Sequence, residues 1–346
     1  MTYAIHPFRL HHPRTVAEAL ALAQAHPGAP YLAGGTDLVV NLRKRLLEPD
    51  HVISLRGLSE LRGVSRDDGR LTIGALTTIA EIAAHPLIAE HLPLLAEAAG
   101  VVAGPTVRDM ATLGGNLCLD TRCRYYNQSF FWRQANDYCL KKDGTVCHVA
   151  PGGSFCWATY SGDTAPVLLM LDAEIELAGP QGARRVPLAE FYGADGRWSI
   201  GTEPGGKRPG ELLLRAHVPL PEPGWQGAYE KLRVRDSIDY PLLGVGLMVR
   251  YAGEQDHTIR GLRMALTAVN PRPERVQGLE GFIGRAMSPE LVEGLRRRAN
   301  KTGKPMRTAV ADPGYRHAMI GALVEKAAVR LAPELAETFA ARQRLA

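Results

Sequence analysis

Outside residues 118–156 this 346-residue sequence has no cysteine, and all five of its cysteines fall inside that window. The odd count and the length argue against a disulfide framework, which belongs to small secreted chains with paired cysteines. Long apolar runs are missing too: no stretch approaches 18 uninterrupted apolar residues, and the opening MTYAIHPFRLHHPRTVAEAL has no apolar h-region. The sequence therefore predicts neither membrane insertion nor export, and places the chain in the cytoplasm, where thiols stay reduced. There is no six-residue Rossmann or P-loop glycine fingerprint, no G-x-S-x-G elbow and no H-E-x-x-H pair. Nicotinamide or nucleoside-triphosphate binding and independent hydrolase chemistry are not expected. Excess charge is also slight. The net +5 is dispersed, and its densest run, Arg296-Arg297-Arg298, reads as the solvated face of a C-terminal helix, so no nucleic-acid partner is expected.

What is present is a globular composition, 45% hydrophobic and 22% charged, enough for two or three domain cores. The cysteines are spaced Cys123-x15-Cys139-x7-Cys147-x8-Cys156, with Cys118 just before them. Four thiolates complete a closed shell for zinc or for an iron–sulfur cluster. The C-x2-4-C pairs usual for zinc are absent, yet spacing alone leaves both metals standing. Residues 123–160 carry nine of the 22 aromatic side chains, which either fill a small core or keep water from a metal.

Thr15-Val-Ala-Glu18 reads as a capping box opening a helix to about His26. Tyr31-Leu32 is a short strand running into Ala33-Gly34-Gly35-Thr36-Asp37, and Leu38, Val39 and Leu42 continue with helical spacing. Two glycines there let backbone N–H groups converge on an anion at a helix start. Strands are expected at 51–55 and 71–75, and helices at 78–85 and 87–99. Thr112-Leu-Gly-Gly-Asn116 repeats the glycine-turn logic. After the insert come an apolar run at 165–171, a strand at 173–178 and a Gly/Pro surface loop at 201–210. A linker at Pro219–Gly224 leads to antiparallel strands at 243–251 and 261–269 and to helices at 288–300 and 314–331.

These motifs resemble, in order and along nearly the whole chain, the FAD-binding medium subunits of molybdenum hydroxylases, the xanthine oxidase and carbon monoxide dehydrogenase group. Leu32-Ala-Gly-Gly-Thr-Asp-Leu38 is similar to their first flavin loop. Thr112-Leu-Gly-Gly-Asn-Leu117, with Arg108 before it, is similar to the second. Ser161-Gly-Asp163-Thr-Ala-Pro resembles their acidic motif, and Lys231-Leu-Arg-Val-Arg235 their lysine segment. Most members lack the cysteines. With them, the run from Asn116 through Gln128, Tyr138-Cys139 and Val146-Cys147 resembles the β subunits of 4-hydroxybenzoyl-CoA reductases.

The resemblance implies an α+β chain with the two-subdomain FAD-binding fold of the vanillyl-alcohol-oxidase (PCMH) type, an inserted 4Fe–4S loop and a C-terminal α+β domain. Its subdomains would span 1–55 and 56–220, with the insert at about 118–160, and the C-terminal domain 225–346. Ala33, Gly34, Gly35, Thr36 and Asp37 would hold the FAD diphosphate, flanked by Leu32 and Leu38. Thr112, Gly114, Gly115 and Asn116 would form a second wall, Asp163 would bind ribityl or ribose hydroxyls, and Lys231 would lie near the isoalloxazine. Cys123, Cys139, Cys147 and Cys156 would bind 4Fe–4S, while Cys118 would be a small buried residue. Implied partners are a large molybdenum-cofactor subunit and a small 2Fe–2S subunit, in a dimer of heterotrimers, with ferredoxin as electron donor. Arg122, Arg124, Arg133, Lys141 and Lys142 are the candidate docking charges. An oxidative molybdenum hydroxylase, and an FAD scaffold with structural zinc, are the alternatives.

Overall fold

The computed structural model describes residues 5–197, 206–235, 237–253 and 256–345. Three sheets divide these residues. β1 (Arg9–His11), β2 (Tyr31–Leu32) and β3 (His51–Ser54) form a parallel sheet ordered β1-β3-β2. Parallel strands need crossovers, and the helices Val16–Ala25 and Leu38–Arg43 supply them. β4 (Val64–Asp67), β5 (Arg70–Gly74), β6 (Glu174–Gly179), β7 (Gly182–Pro187) and β8 (Leu212–Pro219) build an antiparallel sheet ordered β4-β5-β8-β6-β7. β9 (Trp225–Leu232), β10 (Leu243–Tyr251), β11 (Ile259–Thr267) and β12 (Glu274–Arg275) make a third, ordered β12-β11-β10-β9.

The largest core lies between the second sheet and the helices around it, with Ile73, Ile79, Leu95, Leu113, Val167 and Ile175 fully buried. The third sheet has its own core, built with the helices Pro289–Thr302 and Pro313–Leu331. β10 shows why its sequence reads as an unbroken apolar run. Leu243, Val245, Leu247 and Val249 face the C-terminal helices, while Met248 on the other face enters the first core. A strand covered on both sides has no reason to alternate.

Two expectations are corrected. Glu18 does not close a box with Thr15: Thr15 Oγ1 accepts the Glu18 N–H, but the Glu18 carboxylate accepts from Arg14 N. The reciprocal box sits at Thr78 and Glu81. The helix expected over 87–99 is two, Pro86–His91 and Pro93–Gly100, because Pro93 has no N–H to continue the ladder and suits a first turn instead. The insert holds a helix, Phe130–Ala135, capped by Ser129. Of the surface loop at 201–210, residues 201–205 lie outside the described residues. Among the described residues no helix is long and apolar enough to cross a membrane.

Candidate functional site

A cleft of about 740 Å³ opens between the two glycine turns. The chain leaves β2 at Leu32 and must reverse into the helix Leu38–Arg43, and Gly35 takes φ +76, a left-handed turn open to glycine. Gly34 is constrained differently: a Cβ there would lie 1.7 Å from the Met110 carbonyl oxygen. The first turn thus rests on the backbone leading into the second. The N–H groups of Gly34, Gly35 and Thr36 donate to no protein group among the described residues, and lie in the cleft wall. A row of unpaired donors at a helix start suits an anion.

The second turn is built otherwise. It is a short helix, Leu113–Leu117, capped by Thr112, whose Oγ1 accepts the Gly115 N–H. The Leu113, Gly114 and Asn116 N–H groups bond to Thr77, Ala75 and Thr112 carbonyls. Its backbone donors are spent within the protein, so it offers shape and the Asn116 amide. Asn116 Oδ1 accepts from the Thr164 hydroxyl at 2.6 Å, leaving the NH2 for the cleft.

Of the residues singled out in the sequence, Ala33, Gly34, Gly35, Thr36, Asp37, Leu38, Thr112, Gly115, Asn116 and Asp163 line the cleft. Leu32, Gly114 and Lys231 do not. Leu32 lies in β2, and Gly114 packs on the Ala75 backbone. Lys231 stands behind Asp163, 2.9 Å from its Oδ2, and bonds to the Val101 carbonyl. Tyr229 donates to the other Asp163 oxygen. Both carboxylate oxygens of Asp163 are therefore held, and burial pushes its pKa up against the opposing pull of Lys231. Lys231→Met leaves that carboxylate buried without its cation, an expected loss of about 3–5 kcal/mol. Thermal unfolding of Lys231→Met checks it, and Asp163→Asn added to Lys231→Met should restore much of the loss.

Asp37 is equally engaged. Its Oδ1 accepts from Arg122 at 2.9 Å and Tyr240 at 3.1 Å, its Oδ2 from Asn41. Burial raises its pKa and Arg122 opposes the rise. Arg122 also stacks 4.0 Å from the Tyr240 ring, which draws the segment after β9 onto the cleft. Arg122 and Tyr240 were missed as lining residues. Arg122 reads in sequence as a surface charge, and only its contact with Asp37 reveals it.

The four cysteines meet elsewhere. Cys123, Cys139, Cys147 and Cys156 are buried, line one small cavity and form no disulfide. Each begins or holds a tight turn: carbonyls of Cys123, Cys139 and Cys147 accept from residues three to five further on, and Ala158 N–H points at the Cys156 sulfur, 3.5 Å away. Burial pushes the thiols of Cys123 and Cys156 up, to about 11 and about 12, so metal must displace protons to bind there. Cys118 is not with them; partly buried against the largest core, it lines the first cleft. Tyr126 and Lys141 line both cavities, so a single wall divides them. Lys141 is held in that wall by Asp120 at 2.8 Å and Thr121 at 2.6 Å.

The expected docking charges are corrected accordingly. Lys141 is buried in the wall, and Arg122 belongs to the cleft. Arg133 is 1% exposed, its guanidinium donating to the Arg45 carbonyl at the end of the helix Leu38–Arg43. Arg124 remains exposed and Lys142 partly so, although Lys142 also lines the cleft.

Residues 6–221 match the family described as the FAD binding domain in molybdopterin dehydrogenase, and 227–331 the CO dehydrogenase flavoprotein C-terminal domain. The chain is 29% identical over 322 residues to the carbon monoxide dehydrogenase medium chain of Hydrogenophaga pseudoflava, covering 92% of this chain and 95% of that one. It is 33% identical over 276 residues to the aldehyde oxidoreductase FAD-binding subunit of Escherichia coli strain K12, covering 78% and 83%. The solved carbon monoxide dehydrogenase from Hydrogenophaga pseudoflava superposes with a TM-score of 0.74 at 27% identity, over 94% of this chain and 96% of that one. The expected PCMH-type fold with its C-terminal domain is thereby borne out. The chain belongs to the FAD-binding subunits of the molybdenum hydroxylase family of oxidoreductases.

Proposed function

We propose that this chain is the flavin and iron–sulfur subunit of a cytoplasmic molybdenum enzyme resembling 4-hydroxybenzoyl-CoA reductase. On this reading ferredoxin gives electrons to a 4Fe–4S site at Cys123, Cys139, Cys147 and Cys156, from which they reach FAD. Partner subunits, a large one with molybdenum cofactor and a small one with 2Fe–2S clusters, then remove a phenolic hydroxyl reductively. A dimer of such heterotrimers is the inferred assembly. The observation that carries the reading is the shared wall of Tyr126 and Lys141 between a four-thiol cavity and the flavin cleft. When bound, FAD exchanges one or two electrons and the cluster one, so their adjacency has a use that zinc would not have.

The chain's own residues do the positioning. Ala33 to Asp37 present N–H groups to the diphosphate, with Leu38 beside them. Thr112, Gly115 and Asn116 close the opposite side. Asp163 reaches the cofactor only as an organiser tied to Lys231. Residues 1–55 and 56–220 are the two halves of the flavin unit, and 225–346 the domain that delivers Tyr240 to it.

A second reading, the same subunit in an oxidative enzyme, is favoured by relatives named for carbon monoxide and aldehyde oxidation. The assembled complex decides: 4-hydroxybenzoyl-CoA reduction with reduced ferredoxin supports the first, and activity only in oxidising an aldehyde or purine overturns it. Arg124→Glu, at an exposed residue that lines neither cavity, is expected to slow reduction by ferredoxin about threefold or more at low salt. Reduction by a small uncharged reductant should stay unchanged. Equal rates with ferredoxin would remove this surface from the proposal.

A further inference from the structure

His11, His26 and His51 touch neither the cleft nor the cysteine cavity, yet three separate elements bring them to one point. His11 ends β1, His51 begins β3, and His26 caps the C-terminus of the helix Val16–Ala25. His11 Nε2 lies 2.9 Å from His51 Nδ1. The His26 ring centroid is 3.7 Å from that of His51 and 4.8 Å from that of His11. One nitrogen from each ring lies within 4.8 Å of the others, and all three side chains are half-buried.

We propose that these three histidines form a site for one divalent transition ion of the zinc, nickel or copper class, with water completing its shell. Imidazole nitrogens suit those ions, whereas magnesium and calcium seek oxygen. Metal–nitrogen bonds of about 2.0–2.1 Å place ligand nitrogens roughly 3.3 Å apart, so modest ring rotations convert the present contacts into ligation. The ion ties β1, β3 and the helix end together, and stabilises the folded chain by an amount that grows with the logarithm of its free concentration above Kd.

The test uses the full chain with its iron and flavin loaded, stripped of loose metal by a chelator and titrated with zinc chloride. Elemental analysis counts the zinc, and thermal unfolding follows its effect. The expected result is one equivalent bound with a rising Tm. His51→Gln and His26→Asn should weaken binding by at least about 100-fold, beyond the usual effect of losing a ligand's supporting partner, with FAD retained. If His26→Asn loses flavin, His11→Gln replaces it as the second variant. Zinc at the cysteines would be common to all these proteins, so only the difference between them reports the histidines. Wild type binding no more zinc than the variants overturns the site.

Discussion

Cys156→Ser, purified in the full chain without air, is expected to lose nearly all of about four irons and their acid-labile sulfide while keeping its FAD. The reasoning starts from burial. Cys156 has almost no solvent access, its sulfur faces the same cavity as Cys123, Cys139 and Cys147, and Ala158 N–H points at it. A serine hydroxyl keeps the size and loses the soft thiolate that iron–sulfur clusters need. Three ligands then remain, among them Cys123, whose buried thiol must give up its proton before metal binds. Flavin should remain because the N–H donors of Gly34, Gly35 and Thr36 sit in the other cavity. Cys118→Ser is the matched control and should leave iron unchanged. One zinc and no sulfide in the wild-type protein would falsify the cluster outright.

Gly34→Ala should cost the flavin. A methyl at Gly34 would sit 1.7 Å from the Met110 carbonyl oxygen, with Met110 C at 2.5 Å and Ala111 N at 3.2 Å. These are backbone atoms, so no side chain can swing aside. Relief requires the first glycine turn to move off the segment that precedes Thr112, and overpacking of this kind costs about 1–3 kcal/mol. Moving the turn also withdraws its unpaired donors from the opposite wall, so FAD affinity falls with stability. Gly35→Ala should be milder in packing, meeting only the Val39 and Leu32 side chains at 3.2 and 3.4 Å, but it forces alanine to φ +76, at about 1–2 kcal/mol. Flavin-to-protein absorbance ratios and Tm decide. Full flavin occupancy in Gly34→Ala would show that the two turns are not coupled.

Local chemistry was legible in the sequence, while through-space roles were not. The turn after Tyr31-Leu32, the helix Leu38–Arg43 and the paired strands β10 and β11 follow from glycine placement and apolar pattern. The gathering of four cysteines follows from their confinement to one segment. Arg133 and Lys141, by contrast, sit among polar and aromatic neighbours that read as surface. Their burial depends on carbonyls from residues 45 and 196, remote in sequence. The family resemblance puts Lys231 near the isoalloxazine, but Lys231 lies one layer behind the cleft wall, paired with Asp163. Sequence spacing cannot distinguish a residue that lines a cavity from one that stands behind its wall.

The anchoring of the insert bears on how such a segment could be transplanted. Arg133 donates to the Arg45 carbonyl, Lys44 to the Asn127 carbonyl, and Arg124 N–H to the Thr308 carbonyl beyond the third sheet. A relative without the cysteines could not acquire this segment as a cassette. It would need receiving groups at two distant places and a cleft wall willing to surrender part of itself to Tyr126 and Lys141.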